Sequence, residues 1–297
     1  MLRIEDVHFH YGEIKALQGI TFEVGNGETL GLLGPNGAGK TTTISLLTGV
    51  LKPTQGKVFV AGELDPTRAS VRKLLGVAPQ TLSLYEDLTG FENLMFFGKL
   101  YGLSSRTLKA RASWALEFSG LESRAKDRVK TYSGGMKRRL NLVCALIHDP
   151  PVLLLDEPTV GVDPQSRNHI FEKIEALQKE GRTILYTTHY MEEAQRLCKR
   201  TAILDHGEIL ALDTVDNLIR CHGGRAIVEV ECLSGREKLQ GFPGTWSGSV
   251  FRMEADDPVD ALQFLSQHGI DYSQLKIQRA DLEAVFLNLT GRRLRDA

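Results

Sequence analysis

Residues Gly34 to Thr41 spell G-x-x-x-x-G-K-T (Gly34, Pro35, Asn36, Gly37, Ala38, Gly39, Lys40, Thr41, then Thr42), residue types suited to holding phosphate. The glycines let backbone N–H groups turn inward as an anion nest, and a helix starting there adds the positive end of its dipole. Lys40 can reach the outer phosphates, and the Thr41 hydroxyl can ligate Mg²⁺. A second piece is Val152-Leu153-Leu154-Leu155-Asp156-Glu157, an apolar run ending in two carboxylates. It would deliver Asp156 beside the metal and leave Glu157 one residue further, placed to polarise a water as general base. An apolar run ending in Asp-Glu is most often only a strand end; following a phosphate loop, and followed by Pro158, it gains a function. The third piece is Tyr132-Ser133-Gly134-Gly135-Met136, where Ser133 is a good N-cap and two glycines expose N–H groups at a helix start. That makes a second anion site in one chain, although alone it reads as a capped helix with a flexible turn.

These pieces need strands and helices to hold them. Residues 2–24 read as a strand pair around Tyr11-Gly12, and 29–33 as a short apolar strand that feeds the glycine-rich turn. A helix over 42–48, stopped by Gly49, follows. A turn with an edge strand (53–62) comes next, then a strand at 74–78 ending at Pro79-Gln80. From about 82 to 150 strand signals vanish and helical periodicity predicts helices over 91–100, 106–119 and 136–147, a helical insertion. Strand and helix then alternate: strand 152–155, helix 165–179, strand 183–187, helix 191–199, strands 202–204 and 208–211, and a helix from 213. The continuous apolar run 152–155 suits a parallel strand buried on both faces. A boundary falls at His222-Gly223-Gly224. Beyond it, strands 227–232, 250–253 and 275–278 with helices 258–267 and 281–289, the last capped by Gly291, suggest a small α+β domain. The expected architecture is therefore an α/β P-loop NTPase with a mixed or parallel sheet, spanning 1–222 with its helical insertion, plus an accessory domain over 223–297.

The whole-chain numbers fit that plan. Hydrophobic residues make up 42% and charged residues 25% of the 297, the mix of a globular protein with a real core. Thirty-six basic against 37 acidic residues leave a net charge of −1, so no global field draws the chain to nucleic acid or anionic lipid. Cys144, Cys198, Cys221 and Cys232 form no CxxC pair and read as reduced thiols of a cytoplasmic protein. The opening MLRIEDVHFH carries charges where a signal peptide needs an apolar run. No apolar stretch approaches the ~20 residues that cross a bilayer, so any membrane work would use spans from another chain.

Taken together, the motifs resemble the ATP-binding cassette ATPases, the nucleotide-binding subunits of ABC transporters. The resemblance rests on Tyr11, GPNGAGKTT (34–42), Gln80, YSGGM (132–136), VLLLDEP (152–158), VGVD (160–163) and TTH ending at His189, all in family order over roughly residues 1–220. It implies ATP and Mg²⁺ as ligands, with Tyr11 stacked on adenine and Gln80 touching Mg²⁺ or the attacking water. It implies His189 at the γ-phosphate. Cassettes of this family pack head to tail, so Ser133, Gly134 and Gly135 would close over ATP held by the other copy, with Asp163 at that interface. A homodimer and an integral membrane permease are the implied partners, with the chain peripheral on the cytoplasmic face of the cell membrane and no role for nucleic acid.

The signature commonly reads LSGGQ, and Tyr132 and Met136 replace its first and last residues, while the serine and both glycines are intact. That form, and the ending DLEAVFLNLTGRRLRD (281–296), resemble the ABC-2 type exporter branch, which includes drug, antibiotic, polysaccharide and nodulation-factor exporters. An importer ATPase would use the same motor and stays open. A cassette ATPase acting on DNA or ribosomes fits less well, because the chain has one GxxxxGKT and no sustained heptads. Lys137, Arg138 and Arg139 are expected on the solvated face of the signature helix. Leu84, Tyr85, Phe91, Phe96, Phe97 and Tyr101 are expected to form the core of the helical insertion, with some free to line a groove for a membrane subunit.

Overall fold

The computed structural model describes residues 1–62, 65–234, 236–239, 243–255, 258–278 and 280–291; the end of the tail compared above, 292–296, lies outside them. In chain order the first compact unit contains β1 (Leu2–Tyr11), β2 (Ile14–Val24), β3 (Thr29–Leu33), α1 (Lys40–Leu47), β4 (Gln55–Val60), α2 (Ala69–Arg72) and β5 (Leu75–Ala78). Then come α3 (Gly90–Leu100), α4 (Ser105–Ser119), α5 (Gly134–Leu146), β6 (Val152–Asp156), α6 (Pro164–Lys179), β7 (Thr183–Thr188), α7 (Met191–Leu197), β8 (Arg200–Asp205) and β9 (Glu208–Thr214).

A six-stranded sheet of order β5-β6-β7-β3-β8-β9 forms the centre, with parallel pairing from β5 through β8. Every residue of β3, β6 and β7 is buried. The reason is visible in β6. Leu153 and Leu155 enter a core shared with the helices of the insertion, while Val152 and Leu154 enter a second core shared with β1, β2, β4 and α1. Successive side chains of a strand point to opposite faces, so a strand packed on both sides is apolar along its middle. The buried polar residues of these strands, such as Asp156 and Thr187, sit toward their ends. The second core is closed by an antiparallel sheet of order β2-β1-β4. The fold is that of an α/β P-loop NTPase.

The helices start where the sequence offers caps. Thr89 and Glu92 form a reciprocal capping box for α3, Ser104 caps α4, Ser133 caps α5, and Asp163 caps α6 ahead of Pro164. Each side-chain oxygen satisfies an N–H that the first helical turn leaves without a partner.

The second compact unit begins at Thr214, earlier than the composition break at His222 to Gly224. It contains α8 (Val215–His222), β10 (Ala226–Ser234), β11 (Thr245–Ser247), β12 (Val250–Ala255), α9 (Pro258–Gln267), β13 (Asp271–Gln278) and α10 (Leu282–Thr290). Helix α8 packs on α10, and Asn288 Nδ2 donates to the His222 carbonyl at 2.8 Å, which ties α8 to this unit. The antiparallel sheet has order β11-β12-β10-β13, and α9 covers the face carrying Val228, Val230, Phe251 and Met253. Two features have no sequence signal. Strand β11 is three exposed residues paired with β12, and the first four residues of β13 are exposed throughout. Gly291 ends α10 in the left-handed conformation, φ 73°.

Candidate active site

The strand order puts four chain segments side by side at one end of the sheet. Gln80 follows β5, Asp156 ends β6 with Glu157 just after it, His189 follows β7, and the glycine-rich loop follows β3. Open α/β sheets bind ligands at this carboxyl end of their strands. A cleft of about 490 Å³ lies there, lined by Tyr11, Ile14, Lys15, Ala16, Asn36, Gly37, Gly39, Lys40, Thr41, Thr42, Gln80 and Glu157.

Two glycines of the loop are sterically required. A Cβ on Gly34 would lie 2.1 Å from the Leu204 carbonyl oxygen. Gly39 sits at φ 112°, and a Cβ there would approach Leu17 Cδ2 to 2.6 Å. Lys40, buried to 5% exposure, donates from Nζ to the Gly34 and Pro35 carbonyls at 2.7 and 2.8 Å and pairs with Glu157 Oε1 at 3.0 Å. Its ammonium therefore lies against both the loop and the carboxylate.

Glu157 is the hub of the cleft. Besides Lys40, its Oε2 accepts from Gln80 Nε2 at 3.1 Å and lies 3.1 Å from His189 Nδ1. Its backbone has φ 46°, a strained value for a side chain with a Cβ. The conformation is held by its N–H, which bonds to both the carbonyl and the hydroxyl of Thr187 at 3.1 Å. Asp156 accepts from the Thr187 hydroxyl at 2.6 Å and the Thr41 hydroxyl at 2.9 Å. Burial pushes the Asp156 carboxyl above the usual carboxylate range, and those two hydrogen bonds oppose the shift. A desolvated carboxylate in contact with a threonine hydroxyl, with the Gln80 amide nearby on Glu157, is an oxygen donor set of the kind Mg²⁺ takes.

Tyr11 is 51% exposed at the mouth, its ring edge-on to Phe9 with centroids 4.9 Å apart. Ser133, Gly134 and Gly135 do not line this cleft. Ser133 and Gly134 are exposed, while Gly135 is buried against α6, where a Cβ would meet Ser166 Oγ at 2.2 Å.

Several side chains around the cleft carry no sequence signal of their own. Thr187 serves both carboxylate-bearing residues. Buried Glu193 accepts from the hydroxyls of Thr159, Tyr186 and Thr188 at 2.5, 2.9 and 2.7 Å, which knots the loop after β6 to the one after β7. The basic run on α5 is not the solvated face expected of it. Lys137 pairs with Glu86, Arg138 donates to the Gln80 and Val160 carbonyls, and Arg139 donates to the Ser119 carbonyl at 2.6 Å. Periodicity places these residues on a polar face; it cannot see that carbonyls of other segments cover that face. Leu84, Phe91, Phe97 and Tyr101 pack against the core of the insertion, while Tyr85 remains 48% exposed.

A phosphate loop on β3, a carboxylate pair on β6 and a histidine after β7 define a P-loop ATPase. The ABC transporter family model matches residues 17–160. Over the whole length of both chains, the sequence is 42% identical to the linearmycin resistance ATP-binding protein LnrL of Bacillus subtilis (strain 168). It is 41% identical to the Nod factor export ATP-binding protein I of Cupriavidus pinatubonensis, covering 100% of this chain and 92% of that one. Among solved structures, the ATP-binding subunit of an ABC transporter superposes with a TM-score of 0.68 at 33% identity, over 74% of this chain and 92% of that one. The cassette MJ0796, seen as a post-hydrolysis dimer bound to ADP and Pi, superposes with 0.66 at 26% identity, over 72% and 98%. The chain belongs to the ATP-binding subunits of ABC transporters, and it is an ATPase.

Proposed function

We propose that this chain is the ATP-hydrolysing motor of an exporter whose membrane-spanning permease is a separate protein. Two copies close head to tail on ATP, and product release reopens them. The observation that carries this reading is the position of the signature. A capped helix N-terminus with exposed donors at Ser133 and Gly134 lies outside the cleft of its own chain, as an element that completes a site in a second copy would. Relatives named for Nod factor export and linearmycin resistance support the outward direction. Among the described residues no helix is long and apolar enough to cross a membrane, which fits a division of labour with a permease.

In this mechanism the loop N–H groups and Lys40 grip the phosphates, and Tyr11 stacks on the base. Mg²⁺, held by Thr41, Asp156 and Gln80, would neutralise charge on the β- and γ-phosphate oxygens. Glu157 takes a proton from the water that attacks the γ-phosphorus as the bond to the leaving oxygen breaks. Gln80 and His189, both on Glu157 Oε2, orient that carboxylate, and His189 also faces the γ-phosphate.

The test is the solution mass of Glu157→Gln with and without ATP. Removing the base should trap the closed state, so a monomer that doubles in mass only with ATP is expected. A mass unchanged by ATP would overturn the head-to-tail motor. For direction, deleting the gene should abolish export; lost uptake with export intact would sink the exporter reading.

A further inference from the structure

The side of α5 facing the nucleotide loops carries two polar side chains one turn apart, Arg138 and Asn141. Asn141, buried to 5% exposure, donates from Nδ2 to the Pro79 carbonyl at 3.2 Å and accepts from the Ser83 N–H at 3.4 Å. Arg138 donates from Nη1 to the Gln80 carbonyl at 2.5 Å and from Nε to the Val160 carbonyl at 3.3 Å. The segment bearing Gln80 is thus hung on the signature helix on both sides of Gln80. The second arm of Arg138 reaches the loop that runs from Glu157 to Asp163. Within that loop the Val160 N–H donates back to the Glu157 carbonyl at 3.2 Å, and Asp163 caps α6 through the Ser166 N–H at 2.9 Å. One guanidinium therefore joins three parts: the helix that presents Ser133, the residue whose amide holds Glu157, and the loop that follows Glu157.

We propose that Arg138 is a positioning residue for hydrolysis, which locks Gln80 and the 157–163 loop to the signature helix so that movement of the helix is felt at Glu157. The geometry makes Arg, not Lys, the fitting residue: a planar fork aims two N–H groups at two carbonyls, where an ammonium is a single point. Its partners are backbone carbonyls on two different segments, so its contribution is to fix their spacing rather than to add the strength of a buried ion pair. A site whose water-activating carboxylate depends on a 3.1 Å bond from Gln80 is sensitive to a small slip of the Gln80 backbone. Arg138 reaches the cleft through the Gln80 carbonyl and through its charge, which interacts with Glu157. Loss of the fork therefore acts on Gln80 and Glu157 and should leave the phosphate loop intact.

The inference rests on the site reading above, and the experiment separates the two. ATPase kinetics of the full-length Arg138→Met, Arg138→Lys and Lys40→Ala proteins are compared with wild type, alongside the calorimetric Kd for Mg·ADP and thermal melting. Arg138→Met should lower kcat about tenfold, with Kd for ADP changed less than about twofold and melting unchanged. Arg138→Lys, which restores the charge and one bond, should recover part of kcat. Wild-type kcat in Arg138→Met overturns the proposal. So does a loss of kcat matched by loss of ADP affinity and of melting temperature with no recovery in Arg138→Lys, which would make Arg138 a structural staple. Turnover surviving in Lys40→Ala would bring down the site reading, and the inference with it.

Discussion

The tyrosine that opens the signature packs against Gly90, and the pair makes a prediction whose sign can be worked out. Tyr132 is 5% exposed, and its hydroxyl donates to the Arg124 carbonyl at 2.7 Å. The same oxygen lies 2.4 Å from where a Cβ on Gly90, the first residue of α3, would stand. Ordinary contact begins at 3.4 Å, so alanine at 90 needs a shift of about 1 Å in a ring fixed by packing and a hydrogen bond. Gly90 is helical, so propensity alone predicts that Gly90→Ala stabilises by up to ~1 kcal/mol. Overpacking against a rigid ring costs ~1–3 kcal/mol, and it wins. Net destabilisation of about 1–2 kcal/mol is expected in the wild-type background. Tyr132→Phe removes the offending oxygen and leaves Cζ at 3.3 Å, a contact that can relax. On its own it costs ~1 kcal/mol through loss of the hydrogen bond to the Arg124 carbonyl, which keeps its bond from the Asp127 N–H at 3.0 Å. In the Tyr132→Phe background, Gly90→Ala should be neutral or stabilising. A double-mutant cycle then gives a coupling of about 2 kcal/mol, large for two neutral residues in contact. The assay is urea unfolding followed by the fluorescence of Trp114, which lies on α4 in the same helical core. Equal effects of Gly90→Ala in both backgrounds would refute the argument, as would stabilisation in wild type.

Ser133→Arg should leave ADP binding to the monomer nearly unchanged and stop hydrolysis, because the block acts on the other copy's nucleotide; lost affinity in isolated monomers would count against that division. His148 predicts an acid-sensitive stability. It stacks on Tyr101 at 3.5 Å, Nε2 donates to the Leu75 carbonyl at 3.0 Å, and Nδ1 is buried with no partner among the described residues. Burial pushes its pKa down to about 4 from an ordinary 6.5. The unfolded chain therefore takes up the proton first, so this contribution is complete above pH 6.5 and is lost as pH falls toward 4. His148→Phe should lose less melting temperature than wild type across that window; parallel curves would refute it.

What the sequence made legible is what periodicity and local chemistry encode. The run 152–155 reads as a parallel strand buried on both faces because it is apolar at every position, 29–33 and 183–187 read as short strands, and β3, β6 and β7 are buried throughout. Tyr11, the glycine-rich loop, Gln80 and Glu157 come to one cleft, with Asp156 and His189 joined to it by hydrogen bonds. The strand order of the central sheet explains that convergence for all but Tyr11, which β1 of the antiparallel sheet supplies, and the sequence does not encode strand order locally. Thr187 and Glu193 are illegible for the opposite reason. A threonine in a strand and a glutamate in a helix look ordinary until the fold brings carboxylate and hydroxyls together.

Arg138 shows why charge is the least readable property of a helix face. Lys137, Arg138 and Arg139 occupy positions where periodicity expects water, yet each is bound by another segment: a glutamate, two carbonyls from separate loops, and the end of α4. A long cationic side chain can run its methylenes over an apolar surface and still bring its head to a carbonyl, so its binary class says polar while its environment is interior. Asn141 is the clue that the pattern does offer. A lone amide among Leu140, Leu142, Val143 and Cys144 on a buried helix demands partners, and those partners flank Gln80. The hydrogen bonds of that one buried amide lead from the signature helix to the nucleotide loop, and from there to Arg138 one turn away.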